Sequence, residues 1–108
     1  MSRMSIPELM KVFDNIPRRD EMNVALAFTK PIQNRGRREY DVIVAGKALV
    51  AHYRRMAKSA MIRYESRKAS GSTHSLEIAK RLEARANTIE NKLKELMEHE
   101  NHQGIVQR

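Results

Sequence analysis

The sequence predicts a mainly α protein built around a long antiparallel helical hairpin. Three observations lead there. Ala79, Leu82, Ala86, Ile89, Leu93 and Leu96 repeat at alternating steps of three and four, the a/d spacing of a coiled-coil seam. Val42, Ala45, Leu49, Tyr53, Met56, Ala60 and Tyr64 trace a second apolar line at helical spacing. Between the two runs stands Ser70-Gly71-Ser72, where Gly71 can adopt the left-handed helix cap. A break this short makes the two helices, expected at about 41–69 and 74–100, fold back on each other.

The remaining elements follow in order. Ser5-Ile6-Pro7-Glu8 reads as a helix start, with Ser5 as cap and Glu8 placed to close a capping box. Asp14-Asn15-Ile16-Pro17 ends that short helix, since the residue before a proline is pushed out of the α region. Residues 20–28 form a second short element. There Val24, Leu26 and Phe28 alternate as in a strand, while Ala25 and Ala27 suit a helix. Residues 31–39 read as a basic loop, and the polar stretch 101–108 as a frayed tail. All 108 residues form a single domain: short N-terminal elements at 1–30, the loop, then the helical hairpin over 40–100. Glu90 and Lys94 form a favourable i,i+4 pair. Gly46 weakens the first long helix, and Val42-Ile43-Val44 are β-branched, so that helix could instead begin as a strand.

Charge is the strongest functional signal. The net charge is +8, and residues 34–68 carry ten Lys or Arg against three Asp or Glu, a local +7. No acidic residue occurs between 42 and 64, whereas an ordinary solvated helix mixes signs. Such a concentrated field implies a polyanionic partner, nucleic acid foremost. The expected nucleic-acid contacts are Arg35, Arg37 and Arg38 on the loop and Lys47, Arg54, Arg55 and Lys58 on the helix, with Tyr40 placed to stack on a base. Tyr53 and Tyr64 share the apolar line and read as core or interface residues, and His52 as structural. Leu82, Ile89, Leu93 and Leu96 are expected to form the seam of the hairpin or of an oligomer.

Catalysis finds no support. The chain holds no nucleophile elbow, Walker loop or zinc-protease motif, and its four histidines make no convincing metal set. No enzyme activity, cofactor or metal is therefore expected. With no cysteine, no signal-peptide core and no run near the roughly 18 apolar residues of a membrane span, a cytoplasmic protein is expected. The helical face is poor in bulky Leu and Phe, so membrane insertion is not expected.

Val42-Ile43-Val44-Ala45-Gly46-Lys47-Ala48-Leu49 resembles the strand-to-helix junction of HU-type architectural DNA-binding proteins. The resemblance covers about a fifth of the chain, and the long second half departs from that family. It implies a DNA-embracing β-arm in the preceding loop, with Pro31 and the arginines, and leaves a β-hairpin at 23–45 as an alternative to helix.

From these features the sequence suggests a small oligomeric accessory protein that binds DNA or RNA through phosphates without reading sequence, single-stranded DNA slightly favoured. Its partners would be nucleic acid, further copies of itself, and a nucleic-acid-processing protein that it helps to load. The alternative is an adaptor, chaperone or inhibitor whose basic helix docks an acidic protein surface.

Overall fold

A computed structural model describes the backbone of residues 3–106 and the side chains of residues 3–99. The chain runs β1 (Arg3–Met4), α1 (Ile6–Val12), α2 (Arg19–Ala25), β2 (Ile32–Asn34), β3 (Arg37–Asp41), α3 (Val42–Ser66) and α4 (His74–Val106). The two long helices pack against each other as the expected hairpin, and the short helices brace one end of it. A small antiparallel sheet, ordered β1-β3-β2, leads into α3.

The hairpin seam follows the heptad spacing. Ala79, Leu82, Ala86, Ile89 and Leu93 are buried, and Leu96 packs at the edge of the core. At the tip, Lys68–Ser70 form a 3-10 turn and Gly71 takes φ +77°, the left-handed cap its lack of Cβ permits. On α3 the buried line differs in two places, at Tyr64, which is half-buried, and at Met56. Met56 is 41% exposed, and Ala57 is buried instead. The contact line shifts by one residue because small side chains at Ala57 and Ala60 let α4 approach, which a methionine would obstruct.

Asp41 starts α3. Its Oδ1 accepts the N–H groups of Ile43 (2.9 Å) and Val44 (3.0 Å), satisfying two orphan donors of the first turn. The β-branched run Val42-Ile43-Val44 is therefore helical, and the whole HU-like segment lies inside α3. α4 continues as helix to Val106, beyond the end expected at about 100. Of the tail expected at 101–108, residues 107 and 108 lie outside the described residues.

The segment expected as a basic loop at 31–39 is a β-hairpin. Ile32 pairs with Glu39, Gln33 with Arg38, and Asn34 with Arg37. Arg35 (φ +54°) and Gly36 (φ +80°) turn the corner with two positive φ values, the type I′ geometry that matches strand twist. The hairpin thus falls within the 23–45 window, but only its second half. Residues 19–25 are helical, so the Val24-Leu26-Phe28 alternation marks no strand.

One carboxylate ties three helices together. Glu21 on α2 accepts the hydroxyl of the fully buried Tyr53 on α3 (3.3 Å) and pairs with Arg85 on α4 (3.1 Å). Its Oε1 also accepts the Arg18 backbone N–H (3.0 Å) at the start of α2. Burial, reinforced by the Glu21 charge, pushes the Tyr53 hydroxyl well above the ordinary phenol range, so it stays a donor.

His52, next to Tyr53 on α3, is buried, and its ring lies tilted to Tyr53 at 5.7 Å between centroids. Burial lowers its pKa below the ordinary 6.5. Glu21 opposes that shift, and Arg55 adds to it. The unfolded chain therefore takes the proton first as pH falls through 6.5, and the folded state loses stability. Glu8 and Glu90, whose carboxyls are held below 4.5 chiefly by hydrogen bonds from Ser5 and Arg54 respectively, lose their contribution only at lower pH. Urea unfolding between about pH 7.5 and 5 should show stability falling with acidification, and His52→Gln should flatten that slope. An unchanged slope in the variant would remove His52 as its source.

Candidate nucleic-acid interface

Two basic surfaces emerge, one on the β-hairpin and one along α3. On α3, Lys47, Arg54 and Lys58 stand at i, i+7 and i+11, which puts them on one line, and Lys47 and Arg54 of that line flank α4. At ~1.5 Å rise per residue the line spans about 16 Å, roughly five nucleotides at the ~3.4 Å spacing of a stacked strand. Arg55 lies on the adjacent line, and Lys47, Arg54, Arg55 and Lys58 are all exposed.

Their pairing separates these cations. Arg54 is committed to the hairpin: it bridges to Glu90 on α4 (2.8 Å) and reaches Asn87 Oδ1 (3.5 Å). Glu90 also pairs with Lys94 (3.7 Å), the expected i,i+4 contact. Lys47, Arg55 and Lys58 make no ion pair among the described residues. With Arg63, likewise exposed and without an ion pair among the described residues, they are the cations of α3 with charge available to a ligand.

The β-hairpin divides in the same way. Arg37 is bound by Glu8 of α1, with Glu39 3.7 Å away, so it fastens the hairpin to the first helix. Arg35 at the turn and Arg38 on β3 are exposed without an ion pair among the described residues.

Tyr40 does not serve as expected. It is 6% exposed, because the pleat of β3 places it with Met4, its partner on β1, against the core. Its ring face is closed to a base. Tyr53 is wholly buried and Tyr64 half-buried. Leu82, Ile89 and Leu93 are spent within one chain, which assigns the seam to the hairpin itself.

Beside the cation line runs a groove that the sequence did not announce. It encloses about 470 Å³ between α3 and α4, with Val50, Ala51, Leu93 and Met97 as an apolar lining and Lys47, Arg54, Glu90 and Lys94 around it. Among the described residues, no helix is long and apolar enough to cross a membrane. Compared with protein-family models, curated proteins and solved structures, the chain matches none.

Proposed function

We propose that this protein binds nucleic acid through phosphate contacts, without reading sequence, as a small accessory protein. The observation that carries the reading is the set Lys47, Arg55 and Lys58. They are exposed on an acid-free stretch of a helix that a second helix holds rigid, and no carboxylate among the described residues pairs with them. Cations left uncompensated on a rigid scaffold are suited to counterion release from a phosphate backbone. Arg35 and Arg38 extend the same chemistry onto the hairpin. Single strands are slightly favoured, and DNA and RNA backbones would both be accepted.

Self-association belongs to the same proposal, because several weak phosphate contacts gain from avidity. With the heptad seam filled internally, copies would meet on the groove floor at Val50, Ala51 and Met97.

The test is a salt-titrated binding series on single-stranded DNA, duplex DNA and RNA, run beside light scattering of the free protein. For single strands, log K should fall against log salt with a slope of about −2 if the three α3 cations bind alone. Engagement of Arg35 and Arg38 should bring the slope to about −3.5. Affinity that stays flat from low to moderate salt would defeat the reading.

The groove gives the second reading its support. A basic rim around an apolar floor suits an acidic amphipathic helix from another protein, the geometry of an adaptor or inhibitor. In that case, reversing the α3 cations breaks a protein pull-down and spares any contact with nucleic acid.

A further inference from the structure

We infer that Phe28 is the base-stacking residue of this protein and the source of its preference for single-stranded nucleic acid. The inference rests on the nucleic-acid reading above and names a residue that the charge pattern does not reveal.

The chain offers few aromatic rings: three Tyr, two Phe and no Trp. Phe13, Tyr40 and Tyr53 are buried, and Tyr64 is half-buried. Phe28 alone stands fully clear of the protein, at 100% exposure. Its position is also held. Thr29 N–H donates to Leu26 C=O (3.0 Å), closing a tight turn with Ala27 and Phe28 at its corner. Leu26 anchors that turn in the core at 3% exposure. A fully exposed phenyl ring on an anchored turn contributes little to folding, and both its faces are available to a flat ligand.

The surrounding charge identifies the ligand class. From Met22 through Arg38 there is no Asp or Glu, and of the four cations in the stretch Lys30, Arg35 and Arg38 make no ion pair among the described residues, Arg37 being held by Glu8. Lys30 follows Phe28 by two residues and precedes Pro31, which biases it to an extended conformation. A ring two residues from an uncompensated lysine is the pairing that single-strand binders use: the base stacks while the cation holds the phosphate. In a duplex the base faces are already stacked on one another, so the ring discriminates between the two forms.

The absence of Trp makes the test direct. Phe28→Trp creates a sole indole fluorophore, read while labelled oligo(dT) or a hairpin duplex is bound and followed separately by anisotropy. Quenching by oligo(dT) and none by the duplex is expected. Phe28→Ala should lose roughly tenfold in single-strand affinity, with duplex affinity, salt slope and unfolding midpoint unchanged. An unquenched indole at saturation by anisotropy, or equal losses on single strand and duplex, would overturn the stacking role while leaving the phosphate reading intact. A protein partner lost with Phe28→Ala at unchanged nucleic-acid affinity would overturn it too, in favour of a docking role. If the wild-type chain binds none of the nucleic acids, the underlying reading fails and the stacking role falls with it.

Discussion

Replacing Lys47, Arg55 and Lys58 together with Glu should lower nucleic-acid affinity at low salt by at least ~100-fold, or about 2.7 kcal/mol. That is roughly 0.9 kcal/mol per site, a modest demand when a hydrogen bond to a charged group is worth about 1.5–3 kcal/mol and each reversal also adds repulsion. The salt slope on single strands should shrink by about 2. Folding should be little affected, because the three side chains are exposed and unpaired among the described residues and such surface changes usually stay within about 0.5 kcal/mol each. Arg54 is unsuited to this test because it holds α3 to α4. A glutamate there would face Glu90 and Asn87 in place of the 2.8 Å ion pair, loosening the α3–α4 contact, and lost binding could then reflect lost structure. Binding within twofold of wild type, with circular dichroism showing the triple variant folded, would remove α3 as the phosphate-contacting surface.

The helical hairpin was legible because its signals are local and repeated. Six seam positions agree on one face of α4, and Gly71 stands where a left-handed cap is needed. The errors have equally physical causes. Met56 and Ala57 both fall near the seam line, and only the close approach of α4 decides between them in favour of the smaller. Asn34-Arg35-Gly36-Arg37 hides its turn because arginine is an uncommon first residue for a two-residue hairpin, where Asn or Asp would announce it. Tyr40 looked available beside the arginines, yet once residues 37–41 pair as a strand, alternation sends it inward. Glu21 gave no signal at all, since its partners Tyr53 and Arg85 lie 32 and 64 residues away. The charge pattern marks the basic residues only as a region of the chain. It could not separate Arg37 and Arg54, already bound to carboxylates, from the cations with charge to spare.

Gly46 shows most clearly how packing can reverse a local preference. Read alone, a glycine inside α3 costs about 1 kcal/mol relative to alanine, and substitution should help. A Cβ built there would lie 2.8 Å from Leu93 Cδ1 and 3.1 Å from the Phe13 ring. At this point the end of α1, through Phe13, and α4, through Leu93, both close on α3, and both side chains are buried. Gly46→Ala should therefore gain nothing net, its helix propensity offset by an overpacking cost of about 1–3 kcal/mol. Gly46→Val, which adds two further methyl groups and restricts χ1, should destabilise by roughly 3 kcal/mol, a large share of the ~5–15 kcal/mol typical of a domain. The mechanism is checked by a double-mutant cycle under urea unfolding. Leu93→Ala alone should cost about 2–5 kcal/mol as a cavity. Combined with Gly46→Val it should cost less than the sum of the two, by about 0.5–3 kcal/mol, because the valine fills the space that the leucine leaves. Strict additivity would mean that Gly46 and Leu93 do not meet, and the register of α3 against α4 would have to be redrawn.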